Sequence, residues 1–306
     1  MASEVARASE DGFSSAGAAR VVAAACRKVG LDGETARLMR FGENALFRLD
    51  SPSVVVRVAR GPEYLASARR EVAVSRWLAS EGVPAARVVD DVEQPVVVEG
   101  CPVTFWHLIN EGHRKPTYGE LGGVLRELHA LELPAGLELP AYDVLGRTDL
   151  RVERAAGIPE ADREFLRGRG EVLRRELREL HFDSGKGPVH GDAHVQNLMV
   201  NARNEVVLID FERFSFDHPE WDLMVTSVEH HSLGWQTKEQ YADFVAAYGR
   251  DLRDWPGFPM LRKVQEYLMT TWLMQNVAES ERVAAEYQRR IRSLRDDAAP
   301  RDWRPW

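Results

Sequence analysis

Residues 189–197, VHGDAHVQN, gather side chains that could do chemistry. His190, Asp192 and His194 alternate as the ligands of a hydrolytic metal centre can, with Asp210 or His218 downstream to complete the set around an activated water. Asp192 and Asn197 also stand five residues apart, the separation of a phosphoryl-transfer loop that pairs a carboxylate with a cation-holding amide. Thirteen residues after Asn197 comes Asp210, directly behind the apolar run VVLI. The runs NLMV and VVLI flank Asn201-Ala202-Arg203-Asn204, a strand–turn–strand signature. A hairpin there brings Asn197 and Asp210 together, two hard-oxygen groups suited to one Mg²⁺ under a polyphosphate. On this stretch alone, the hydrolytic and phosphotransfer readings both stand.

The surrounding sequence describes what must position these residues. Residues 1–15 are small and polar and are expected to fray, and residues 16–30 suit a helix stopped by Gly30. RLMRFGENALFRLD and SVVVRVAR, joined through Asp50-Ser51-Pro52, read as two paired strands. A helix over about residues 63–81 turns Val72, Trp77 and Leu78 inward, and QPVVVEGCPVTFWHLI reads as two strands meeting at Glu99-Gly100. Beyond this the pattern becomes helical. Leu121, Val124, Leu125 and Leu128 share one face of YGELGGVLRELHAL, residues 161–177 form a charged helix, and helices continue after Pro219 to about Arg295. The expected fold is α+β and two-lobed. Residues 1–105 form a strand-rich N-lobe with an N-terminal helix, and residues 106–306 a larger, mainly helical C-lobe carrying the polar hairpin.

Composition narrows the function classes. The 306 residues are 44% hydrophobic and 29% charged, the balance of a folded chain rather than a disordered one. No apolar run approaches the roughly 20 residues needed to cross a bilayer, and the start lacks the pattern of a secretory signal. The two cysteines, Cys26 and Cys101, form no CxxC pair, so a reducing, cytoplasmic setting is expected. Of the net charge of −8, most lies beyond residue 105, where 34 acidic side chains face 27 basic ones. That field disfavours nucleic acid and anionic membrane and attracts a cationic small molecule. The sequence carries no sign of an oligomeric state.

HGDxxxxN followed by IDF and DHPEWDL resembles the aminoglycoside phosphotransferase family, relatives in fold of choline kinases and protein kinases. The likeness extends from FGENALFRL (41–49) through the C-terminal helices. It implies a protein-kinase-like fold and Mg²⁺-dependent transfer of the γ-phosphoryl group of ATP, or GTP, to a small-molecule hydroxyl. It also implies that Asp192 is the catalytic base, that Asn197 and Asp210 hold Mg²⁺, and that His190 supports the loop. Asp222 matches an acidic position that is structural or near the substrate. In the N-lobe, Gly42 and Asn44 stand in a phosphate-covering turn, and Arg57 replaces the strand lysine of V-A-I-K, with Glu71 as its helix partner. Phe105, Trp106 and His107 stand at the hinge, where the resemblance implies main-chain contacts to the nucleotide base.

Arginine keeps the charge but presents a planar fork, so a catalytically weak nucleotide-binding pseudoenzyme is a third reading. Gly191 stands where protein kinases carry arginine. The chain therefore lacks the usual handle for a phosphorylated activation loop, which points to a small-molecule acceptor and no phosphorylation switch. Asp217, Glu220, Asp222, Glu229, His230 and Trp272 are the candidate acceptor contacts. The acidic later region favours a cationic acceptor such as an aminoglycoside or peptide antibiotic, in a resistance or a metabolic role.

Overall fold

The structure, a computed structural model, describes residues 13–42 and 44–305. The chain divides into two compact units, each discontinuous in sequence. One comprises residues 1–116, 133–139 and 197–214, and the other residues 117–132, 140–196 and 215–306.

The first unit begins with α1 (Ser15–Lys28), started by Ser14, whose Oγ accepts the Gly17 N–H at 3.1 Å, and ending on Arg27 and Lys28. Phe13, expected in a frayed tail, is instead buried and stacks on Phe41, while residues 1–12 lie outside the described residues. Its apolar ring gains more from the core than from solvent. The stripe Ala18, Val21, Val22, Ala25 and Cys26 packs into one core with Phe47, Val56, Val58, Val103 and Phe105 of the sheet.

That sheet comprises β1 (Arg37–Phe41), β2 (Asn44–Leu49), β3 (Val54–Ala59), β4 (Val96–Val98) and β5 (Cys101–His107), ordered β1-β2-β3-β5-β4 and antiparallel throughout. RLMRFGENALFRLD, read above as one strand, is two. The chain reverses near Gly42, and β1 pairs back on β2 from Arg37↔Arg48 to Phe41↔Ala45, with Glu43 outside the described residues. Val54, Val56 and Val58 point into the α1 core. By the alternation of a strand, Arg57 therefore lies on the opposite face, between Leu46 and Thr104 in register. Between β3 and β4, α2 (Leu65–Ser80) buries Glu71 together with Val72, Val74, Trp77 and Leu78.

The second unit opens with α3 (Tyr118–His129), whose Thr117–Glu120 capping box satisfies its first amides. The predicted face of Leu121, Val124, Leu125 and Leu128 is buried. Then come α4 (Thr148–Arg154), α5 (Glu160–Arg178) and β6 (Gly187–Val189). The chain next returns to the first unit for the expected hairpin, β7 (Leu198–Val200) and β8 (Val206–Leu208), paired from Leu198↔Leu208 to Val200↔Val206. Asn201 Oδ1 accepts the Arg203 and Glu205 N–H groups at 2.9 and 3.0 Å and so closes the turn. Main-chain bonds fix the hairpin in its unit: Ala86 N–H to Leu208 O and Gly112 N–H to Val200 O, at 2.8 and 2.7 Å.

Back in the second unit, β9 (Ser215–Asp217) pairs antiparallel with β6. The remaining helices are α6 (Glu220–His231), α7 (Lys238–Tyr248), α8 (Phe258–Leu273) and α9 (Glu281–Arg295). Among the described residues no helix is long and apolar enough to cross a membrane.

Candidate active site

Arg57 on β3 and Glu71 on α2 form the ion pair that the sequence suggests, Nη1 to Oε2. Glu212, two residues beyond Asp210, joins them with Oε2 at 3.4 Å from Arg57 Nη2. With the Asn44 amide oriented oxygen-inward, that oxygen accepts from Arg57 Nη2 and Nε at 2.8 and 3.2 Å. Burial pushes the Glu71 carboxyl above its ordinary range; Arg57 draws it back, and the negative charges of Glu212 and Asp210 raise it again. Asn44, Arg57, Glu71, Thr104 and Glu212 line a cleft. The turn ahead of it is pinned by Arg60, whose Nη2 donates to Gly42 O at 2.6 Å.

The β7–β8 register carries Asn197 and Asp210 to the same end of the hairpin. Asn197 O accepts the Ile209 N–H at 3.0 Å, and Asp210 follows. Asp210 is exposed and held at φ 68°, a left-handed conformation uncommon for a residue with a side chain and frequent at functional sites. The donor set fits Mg²⁺: Asn197 and Asp210 supply hard oxygens, and the carboxylates of Glu71, Asp210 and Glu212 stand close enough to act on one another.

Of the expected hinge residues, Phe105 is committed to the fold. Its ring is fully buried, its N–H donates to Gln94 Oε1 at 2.7 Å, and its carbonyl accepts from Val89. The His107 N–H donates to Arg87 O, and the Trp106 indole donates to Thr104 Oγ1 at 2.8 Å and packs on Phe211. The Trp106 side chain is half-buried and that of His107 exposed.

In the second unit the loop after β6 is held from two sides. Asp222 is fully buried, with Oδ2 accepting the His190 N–H at 2.7 Å and Oδ1 the Gly191 N–H at 2.8 Å. From the other direction, the Tyr142 hydroxyl donates to Gly191 O at 2.8 Å. Gly191 sits at φ 79°, where a side chain would be strained, which gives a local reason for glycine in place of the kinase arginine. Asp192 leaves this clamped peptide with a side chain 44% exposed, and His194 Nε2 lies 3.6 Å from its Oδ2. His190 is fully buried, a scaffold residue.

The candidate acceptor contacts separate by burial. Asp217 is spent on the fold, accepting from Tyr142 N–H, His218 N–H and the Trp221 indole, and fully buried Glu220 pairs with Arg250 at 2.7 Å. Asp222 anchors the loop through the two amides described above. His230 stacks on Tyr241 at 4.3 Å, with Nδ1 against Gln236 O. Trp272 stays 43% exposed on α8. Glu229 is half-buried and accepts from Gln236 Nε2 at 2.6 Å. Burial pushes its carboxyl up to about 7, against the lowering influence of His194 and Gln236.

Sequence reasoning missed Glu212 and Tyr142. Neither carried a signal, since Glu212 lies in a turn and Tyr142 in an irregular segment, both without a pattern. Among the described residues no three His, Cys, Asp or Glu side chains gather as metal ligands, which does not favour the hydrolytic reading of His190, Asp192 and His194.

Known proteins share this fold. An amicoumacin kinase, hAmiN, in complex with AMP-PNP, Ca²⁺ and Ami superposes with a TM-score of 0.66 at 16% identity, over 89% of this chain and 91% of its own. The choline kinase LicA from Streptococcus pneumoniae gives 0.60 at 17% identity, over 90% and 98%. The aminoglycoside phosphotransferase APH(3'')-Id from Streptomyces rimosus ATCC10970 gives 0.59 at 18%, over 83% and 97%. At such identities the likeness is one of fold, the α+β, protein-kinase-like fold expected from the sequence. No curated protein sequence matches. Residues 42–261, most of the chain, match the family model described as the phosphotransferase enzyme family, and the chain belongs to that family.

Proposed function

We propose that this protein transfers the γ-phosphoryl group of ATP, or GTP, to a hydroxyl of a small cationic molecule. The observation that carries the reading is the Arg57–Glu71 pair, a strand cation held by a buried helix carboxylate beside Asp210 and Glu212. In this reading Arg57 binds the phosphates, its planar fork taking over from the usual lysine. Asp192, exposed at the end of a fixed peptide, orients the acceptor hydroxyl and takes its proton as the new O–P bond forms and the nucleoside diphosphate leaves. Asn197 and Asp210 would hold Mg²⁺, which when bound offsets the charge of the phosphates. The acidic balance beyond residue 105, and the half-buried Glu229, favour an acceptor carrying an amine, such as an aminoglycoside or another cationic antibiotic. Cys26 and Cys101 are free thiols, in keeping with a cytoplasmic enzyme.

The test is nucleotide consumption against a panel of antibiotics, amino alcohols and sugars, with Asp192→Asn as control. The variant is expected to lose about a hundredfold or more in turnover while still binding nucleotide. Full turnover by Asp192→Asn would end this assignment.

A further inference from the structure

Asp222 holds the catalytic loop by two main-chain amides, and its carboxylate is itself held. His129, the last residue of α3, places Nε2 2.9 Å from Asp222 Oδ2, the oxygen that also accepts the His190 N–H. The other ring nitrogen, Nδ1, lies 3.0 Å from the hydroxyl of Tyr248, the last residue of α7, and the two rings meet edge to face. Burial, with the charges of Asp222 and Glu220 nearby, pushes the Tyr248 phenol up to about 12, so the hydroxyl keeps its proton. The Asp222 carboxylate only accepts, so the ring proton lies on Nε2 and is donated to it, and Nδ1 of that tautomer accepts from the Tyr248 hydroxyl.

The helices are packed to make this contact. A Cβ on Gly122, two turns before His129 on α3, would stand 2.5 Å from Phe244 O and 3.2 Å from Tyr248 N. Only glycine allows α7 so close, and that closeness brings the Tyr248 hydroxyl to the imidazole. The result is one line of donors: Tyr248 O–H to His129, His129 N–H to Asp222, and Asp222 to the two amides that precede Asp192. A carboxylate with both oxygens engaged and a charge-assisted third donor has little freedom to rotate.

We propose that His129 and Tyr248 are positioning residues, acting through Asp222 to fix the His190–Gly191 peptide and with it the direction of the Asp192 carboxylate. Its catalytic consequence rests on the reading of Asp192 as the base; the structural coupling does not.

The experiment measures amide hydrogen exchange at residues 190 and 191, alongside steady-state turnover, in the full-length protein. In His129→Ala, exchange at these two amides is expected to speed about tenfold relative to the rest of the unit, and kcat to fall about tenfold with the KM for ATP within about twofold. His129→Gln, which keeps a donor, should recover most of both losses. Tyr248→Phe should cost about threefold, and should add little on top of His129→Ala because the line is already cut. Unchanged exchange at 190 and 191, a glutamine variant no better than alanine, or losses that multiply in the double variant would each overturn the proposal. Should His129→Ala not fold, Tyr248→Phe, lacking a single hydroxyl, carries the same exchange measurement. Exchange requires no acceptor. Full turnover by Asp192→Asn would end the catalytic reading and leave the coupling to be decided by exchange alone.

Discussion

Arg57 in the strand-rich unit and Arg290 in the helical unit both lie against buried glutamates, in opposite surroundings. Arg290 is 1% exposed. Its Nε donates to Glu286 Oε1 at 2.9 Å, Nη1 to Met269 O at 3.0 Å and Nη2 to Arg304 O at 2.9 Å, and the Trp303 ring covers the guanidinium. Glu286 also accepts from Arg304 N–H and Arg289 Nη1, so cations and amides outnumber the carboxylate. At Arg57 the guanidinium faces two carboxylates, Glu71 and Glu212, and the charge of Asp210 acts on Glu71 as well. Burying charge is costly unless it is paired and hydrogen-bonded, and the Arg290 cluster is paired in full. A cluster closed on itself serves the fold. A cluster that gathers the carboxylates of Glu71, Glu212 and exposed Asp210 is suited to a cation that arrives from outside.

Substitution at the two arginines should separate these roles. Arg290→Met is expected to have the largest effect on stability, about 3–5 kcal/mol, because it strips a buried carboxylate of its main partner. Urea denaturation would read this directly, and nucleotide affinity below the transition should stay near wild type. Arg57→Met should lose about two to three orders of magnitude in turnover, equivalent to about 2.7–4 kcal/mol of transition-state stabilisation. Its stability should fall by only about 1–2 kcal/mol, since Glu71, already pushed up by burial, can answer by taking a proton. If Arg57→Met unfolds the protein as readily as Arg290→Met, or keeps full turnover, the distinction fails.

What could be read from the sequence follows the same division. The Arg57–Glu71 pair, the Asn197–Asp210 hairpin and the buried face of α3 were legible because each depends on strand alternation, helical spacing or a short turn. The Arg290 cluster was not legible. Its closing partners, Met269 O, Trp303 and Arg304 O, come from α8 and from the irregular chain beyond α9, whose meeting no local period announces. The return of residues 197–214 to the strand-rich unit was hidden for a related reason: it rests on main-chain bonds to Ala86 and Gly112, which any side chains could accompany. Asp222 illustrates a half-legible case. Its position in the WDL motif suggested importance, but only the structure shows its carboxylate spent on the His190 and Gly191 amides. Among the acidic candidates of the later region, sequence could not tell such anchors from Glu229, since burial and not residue type divides them.

Glu229 offers the smallest and finest test of the comparison. It is a half-buried carboxylate on α6 whose neighbours are Gln236, His194 and Tyr118 rather than an arginine, so it should behave like the open cluster and not like Glu286. Burial raises its carboxyl from about 4.5 to about 7. A folded-state value above the unfolded one contributes stability that is complete below about pH 4.5 and is lost as pH rises through about 7. Glu229→Gln removes that loss. With the group partly in contact with water, its advantage over wild type should grow from near zero at pH 4.5 to about 1 kcal/mol at pH 8, read from urea midpoints at the two pH values. A gain independent of pH would mean that the carboxylate is not strained by its burial, and that an unpaired acid in this unit is no sign of a site awaiting a cation.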